Sequence, residues 1–155
     1  MPFQITALLA KQFRHLFGAD KNELETLGAI RMTVDSYPDF PCRISLEDVP
    51  VGEAVLLLNY EHQAAMSPYR SRHAIFVREH AEEASLDPGD VPDQLRRRLL
   101  SIRAFDADDM MIEADVVEGS DFERPVEAML AMPKTSYLHV HNAKRGCYAA
   151  RVDRA

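Results

Sequence analysis

The stretch Tyr137-Leu138-His139-Val140-His141-Asn142-Ala143-Lys144-Arg145-Gly146-Cys147-Tyr148-Ala149-Ala150-Arg151-Val152 decides how the rest of the chain is read. Two alternating runs flank a polar turn that ends in glycine, which is the pattern of a β-hairpin. Ala143-Lys144-Arg145-Gly146 suits a type I turn followed by glycine in the left-handed region. That turn sets Ala143 opposite Cys147, His141 opposite Ala149 and His139 opposite Arg151. One face then carries Leu138, Val140, Tyr148, Ala150 and Val152. The other carries Tyr137, His139, His141, Cys147 and Arg151. A slip by one residue would mix the two sets, because side chains alternate along a strand. The apolar face is therefore expected on the core, with the histidine face toward solvent, a cleft or a partner.

The same alternation recurs upstream. Ile30, Met32 and Val34 alternate with Arg31, Thr33 and Asp35, which predicts a half-buried strand over 29–35. Residues 2–6, 42–46, 73–78, 100–105 and 110–117 also read as strands, the last with Met110, Ile112, Ala114 and Val116 facing inward. Residues 54–60 are apolar on both faces, as in a central strand covered on both sides. Leu9, Phe13, Leu16 and Phe17 have helical spacing before Gly18. Asp20 and Glu23 form a capping box for a second helix that ends before Gly28. Asp90, Pro92 and Asp93 open a third helix, with Leu95 and Leu99 on one face. Ser120 and Glu123 cap a fourth, striped by Phe122, Val126, Met129 and Leu130, whose first turn Pro125 makes irregular. Asp106-Ala107-Asp108-Asp109 marks a hairpin turn, where aspartate suits the backbone better than a calcium site. Short connections between neighbouring strands make the sheet mainly antiparallel. The expected fold is a single α+β domain over 1–155, a mainly antiparallel sheet with three to four helices packed on it.

At 155 residues the chain can bury a core of its own. An apolar fraction of 46% and a charged fraction of 28% set aside disorder, collagen and coiled coil. No apolar run is long enough to cross a bilayer. The N-terminal stretch lacks the basic start and cleavage site of a secretion signal. Only two cysteines, Cys42 and Cys147, are present, which fits a reducing compartment. A soluble, cytoplasmic protein with no membrane partner is expected. The net charge of −7 argues against a nucleic-acid partner, which needs a dense cationic surface. Arg96-Arg97-Arg98 reads as a solvated helix face balanced by Asp93. No Gly-rich phosphate loop, Cys-x-x-Cys pair or Gly-x-Ser-x-Gly elbow is present.

Several polar residues are not obviously needed by such a fold. His139 and His141 put two imidazoles on one side of a strand, suited to a divalent transition-metal ion. A zinc site needs at least one more ligand, for which His62, Glu61, His73 and Cys147 are candidates. The competing reading is a solvated or hydrogen-bonded pair. Cys147 is a candidate nucleophile if a histidine lowers its pKa, although an inert buried thiol is the commoner state. The polar stretch from Asn59 to His73 leaves one apolar strand and enters another, and reads as a long, function-bearing loop. Arg70 and Arg72 suit a carboxylate or phosphate, with Tyr69, Asn59 and Asn142 as further ligand contacts. Glu61, His62 and His73 suit proton transfer.

The leading expectation is a small-molecule enzyme or binding protein for an anionic ligand, its site combining that loop with the His139/His141/Cys147 face. The rival is a non-enzymatic interaction or homodimerisation module. It would use the outer face of the C-terminal hairpin, with Tyr137, Tyr148 or Arg151 as anchors.

The segments Pro41 to Asp48, Gly52 to Gln63, Ser67 to Val77 and Tyr137 to Val152 together resemble an uncharacterised bacterial family catalogued as domain of unknown function 1203. The resemblance covers nearly the whole chain. It implies a small bacterial protein, and it implies no substrate, reaction or functional residue.

Overall fold

The alternating segments do form strands, but in two sheets rather than one. The structure is a computed structural model that describes residues 2–155. Its strands are β1 (Phe3–Thr6), β2 (Ile30–Thr33), β3 (Ala54–Gln63), β4 (Ser71–Val77), β5 (Leu99–Phe105), β6 (Met111–Glu118), β7 (Tyr137–Asn142) and β8 (Tyr148–Arg154). The helices are α1 (Lys21–Thr26), α2 (Asp93–Arg96) and α3 (Glu123–Ala131). One antiparallel sheet has the order β1-β8-β7-β5-β6 and the other β2-β3-β4, an α+β arrangement. The chain divides into two compact units. One holds the five-stranded sheet with Glu61–His73 and Ser85–Ala155, and the other holds Ala7–Tyr60 and Ala74–Ala84. Among the described residues, no helix is long and apolar enough to cross a membrane.

In the first unit the strand registers put Leu100, Ile102 and Ala104 of β5 beside Val140 and Leu138 of β7, which in turn face Ala150 and Val152 of β8. All seven are fully buried. Burying each Leu, Ile or Val side chain contributes about 1.5–3 kcal/mol. Helix α3 packs against β5, β6 and β7 and buries Phe122 just before it, then Val126, Met129 and Leu130, as its stripe predicts. Pro125 sits in the first turn, where its missing N–H has no intrahelical role, and a 3₁₀ turn at Gly119–Asp121 precedes the helix. The expected cap by Ser120 does not form. Glu123 instead receives both terminal nitrogens of Arg96. A side chain at Gly119 would collide with backbone, since its Cβ would stand 1.8 Å from the Leu95 carbonyl oxygen.

The helix expected from Asp90 to Leu99 shrinks to α2, because Leu99 already opens β5. The inward face assigned to Met110, Ala114 and Val116 is also corrected. β6 is an edge strand, and these three side chains are exposed.

In the second unit, Val55 and Leu56 of β3 are both fully buried although they point to opposite faces, which bears out a strand covered on both sides. The Asp20 carboxylate accepts the Glu23 N–H at 2.8 Å, so the N-cap half of the expected capping box forms. Two 3₁₀ turns, Ala10–Gln12 and Arg14–Leu16, replace the expected first helix. Buried Phe13 and Leu16 are three apart, which suits the 3₁₀ repeat. The strand expected at 42–46 reduces to isolated bridges, Pro41 to Asp48 and Cys42 to Phe76, with Cys42 fully buried. The long loop expected between Glu61 and His73 is strand at both ends. β3 continues to Gln63 and β4 resumes at Ser71, leaving 64–70 as the connection.

Candidate metal centre

Away from its turn, the β7–β8 hairpin has the expected register, with His139 opposite Arg151 and Leu138 opposite Val152. At the turn it differs. The Asn142 N–H donates to the Cys147 carbonyl at 2.9 Å, and the Gly146 N–H donates to the Asn142 carbonyl at 2.8 Å. Gly146 has φ +79, which suits glycine. The loop is thus one residue longer at its start, and His141 faces Tyr148 rather than Ala149. A bulge between Val140 and His141 absorbs the extra residue and restores the register. The consequence is chemical. Tyr148 leaves the apolar face assigned to it and joins the histidines, its ring 5.2 Å from His139 and 5.7 Å from His141.

β5 extends this polar face on the other side of β7, with Ser101 opposite His141, Arg103 opposite His139 and Phe105 opposite Tyr137. His62, near the end of β3, completes the group. Its ring meets His141 edge-on at 4.8 Å and stacks on Tyr148 at an interplanar angle of 8°. His139 packs against Phe105 and Tyr137 as well. The face expected to meet solvent, a cleft or a partner is therefore covered within the chain: His139 is 5% exposed and His141 1%.

One ligand atom from each of His62, His139 and His141 lies within 4.8 Å of the others. A tetrahedral ion with Zn–N bonds of about 2.0–2.1 Å needs nitrogens about 3.3–3.4 Å apart. The second nitrogens matter as much. His141 Nδ1 is 2.9 Å from the Gly146 carbonyl oxygen, which can only accept, so Nδ1 carries the proton and Nε2 the lone pair. Backbone support of this kind orients the imidazoles of metal sites. The Nδ1 atoms of His62 and His139 are buried with no hydrogen-bond partner. Leaving each so costs about 1–3 kcal/mol, which a bound ion can offset.

All three imidazoles are held neutral, the form that ligates. Burial, then the Arg103 charge and the neighbouring His73, lowers the His62 pKa to about 4. Burial, then His62, Arg151 and Arg103, lowers His139 to about 3. Burial and Arg103 lower His141 to about 3 despite its bond to Gly146. Arg151 is balanced by Asp153, both of whose carboxylate oxygens it holds at 2.8 Å. Arg103 has no carboxylate against it among the described residues. Its Nε donates to Ser101 Oγ at 3.2 Å, and its Nη1 is 3.5 Å from His141 Nε2.

The other residues singled out from the sequence divide differently. Glu61 bridges Arg70 and Arg72, each at 3.0 Å, so these three form one half-exposed ion-pair cluster. Tyr69 sets its ring edge-on to Phe105. His73 lies beside the hairpin turn, its Nε2 3.9 Å from where a Cβ on Gly146 would stand. Asn142 and Cys147 are buried together, with Asn142 Nδ2 donating to Cys147 Sγ at 3.6 Å, and Cys147 is outside the group of three ligands. Asn59 is exposed and belongs to the other compact unit.

Sequence reading passed over Arg103, Tyr148 as a neighbour of the histidines, and a part-buried chain in which Gln63 Nε2 donates to Tyr137 Oη (2.9 Å) and Tyr137 Oη to Asp109 (2.6 Å). For Arg103 a signal existed: an arginine among alternating apolar residues in a strand.

Two buried imidazoles on the β7 face and a third, half-buried, against them make the donor set of a nitrogen-rich transition-metal site with a coordination position to spare. Residues 39–154 match the family described as Protein of unknown function (DUF1203), and the chain belongs to it. No curated protein and no solved structure matches the chain.

Proposed function

We propose that this protein holds a divalent transition-metal ion, zinc in the first instance, on His62, His139 and His141, and offers the open coordination position to a small molecule. The observation that carries the reading is the convergence of three neutral imidazoles, two of them with a buried nitrogen that has no hydrogen-bond partner. Three protein ligands plus one free position is the arrangement of catalytic rather than structural zinc. A bound ion there supplies Lewis acidity and lowers the pKa of bound water. The residues of the chain hold the ligand nitrogens neutral, orient His141 through Gly146 and wall the site with Phe105, Tyr137 and Tyr148.

Metal analysis of untagged protein purified without chelators tests this. About one equivalent of zinc or another transition metal is expected, lost in His139→Ala and His141→Ala. A metal-free native protein that also fails to take up added zinc would sink the reading.

The interface alternative draws less support. Tyr137 and Tyr148, two of its three proposed anchors, are 6% and 4% exposed within the single chain, so little of their surface remains for a second copy.

A further inference from the structure

We propose that Arg103 and the open position of the three-histidine site together bind a small oxyanion, one oxygen on the metal and another on the guanidinium. This deepens the metal reading above and rests on it.

Charge carries the argument. The ligand set is three neutral imidazoles, and the group of possible donors contains no carboxylate or thiolate. A divalent ion there keeps its whole charge. Arg103 adds a further positive charge on the same face, half-buried, opposite His139 and against His141. No carboxylate faces it among the described residues, whereas Arg151 nearby has Asp153. Burying an unbalanced charge is costly, and proteins normally offset it with an opposite charge. Here a ligand anion is the group that supplies the missing negative charge in the proposal.

Geometry agrees. Nε is taken by Ser101 Oγ, which fixes the plane of the guanidinium. The nearest acceptor for Nη1 is His141 Nε2, the atom whose lone pair the metal would take. Metal binding therefore removes that acceptor and leaves Nη1 to an oxygen of the ligand. Arginine's planar fork suits carboxylate and phosphate alike. The edge-strand residue opposite Arg103 is Ala114, exposed and small, so the guanidinium is not shut in from that side.

Cobalt(II) is the probe, because its visible bands respond to a change in its ligands. The full chain loaded with cobalt is titrated with acetate and, separately, with inorganic phosphate, in native protein, Arg103→Met and Arg103→Lys. In native protein at least one anion shifts the bands. A response to acetate alone assigns a carboxylate ligand, and to phosphate alone a phosphoryl group. Arg103→Met weakens anion binding about tenfold to a hundredfold. It also tightens cobalt binding in anion-free buffer, because a repelling charge has gone. Arg103→Lys keeps the charge but not the fork, and falls between. Unchanged anion affinity in the folded variants, or no spectral response in native protein, overturns the oxyanion proposal alone. A native chain that takes up no cobalt overturns the metal reading with it.

Discussion

Two polar clusters in the same compact unit have opposite character. Glu61, Arg70 and Arg72 are charged, half-exposed and satisfied by one another. His62, His139 and His141 are neutral and mostly buried, and two of their nitrogens have no hydrogen-bond partner. From the sequence the first group looks more like a binding site, because it is denser in charge. Physical bookkeeping reverses that ranking. A solvated ion-pair network is already at rest, and a ligand must compete with Glu61 for the arginines. A buried group with unmet bonding capacity has a standing cost, and a ligand that meets it gains what the fold gave up.

The strongest way to break this contrast is to remove one imidazole. His141→Ala is expected to weaken zinc binding by more than about a hundredfold, because losses at supporting residues alone reach tenfold to a hundredfold. Competition against a chromogenic chelator measures it. If His141→Ala keeps native affinity, the cluster is not the metal site.

Acid separates the clusters by mechanism. In the unfolded chain the three imidazoles take up protons near pH 6.5. In the folded chain they do so only near about 4 for His62 and about 3 for His139 and His141. Between those limits the unfolded state binds more protons, so stability is full above pH 6.5 and falls as the pH drops toward 3. Denaturant melts of metal-free protein across that range should show the loss. In His139→Ala it should be shallower. A native stability that is flat from pH 6.5 to 4 would mean that the folded chain protonates these imidazoles as readily as the unfolded one.

Tyr137→Phe probes the part-buried hydrogen-bond chain beside the site. Gln63 and Asp109 each lose a hydrogen-bond partner, with an expected cost of about 1–3 kcal/mol. Urea unfolding reads it, and a neutral result would show that water replaces the hydroxyl. The smallest effect belongs to the satisfied cluster. Arg72→Ala should change stability by about 0–1 kcal/mol, as exposed pairs usually do, and leave metal content untouched. A loss of metal in Arg72→Ala would join the two clusters and end the contrast.

The strands were largely legible, because β-periodicity is local. Met32, Val55, Leu56, Leu138 and Val140 announce their strands through their immediate neighbours. What failed was length and boundary. Leu9 to Phe17 satisfies a helical spacing and a 3₁₀ spacing almost equally, and packing chose the tighter turns. Met110, Ala114 and Val116 alternate correctly, yet alternation does not reveal that β6 is an edge with its apolar side chains uncovered. Tyr148 was misplaced because a bulge leaves no mark in the apolar pattern: Ala149, the extra residue, is small enough to fit either face.

By itself the sequence determined that His139 and His141 share a face, since side chains two apart on a strand must do so, whatever the fold around them. It also determined the hairpin, through Gly146 and the alternation on either side. Only the tertiary structure decided that His62 and Arg103 arrive at that face, and that it is buried rather than wet. Local periodicity comes from backbone sterics within a few residues. Which strands become neighbours comes from the burial of the whole chain, where residues 62, 103 and 139 count as near only after the sheet has formed.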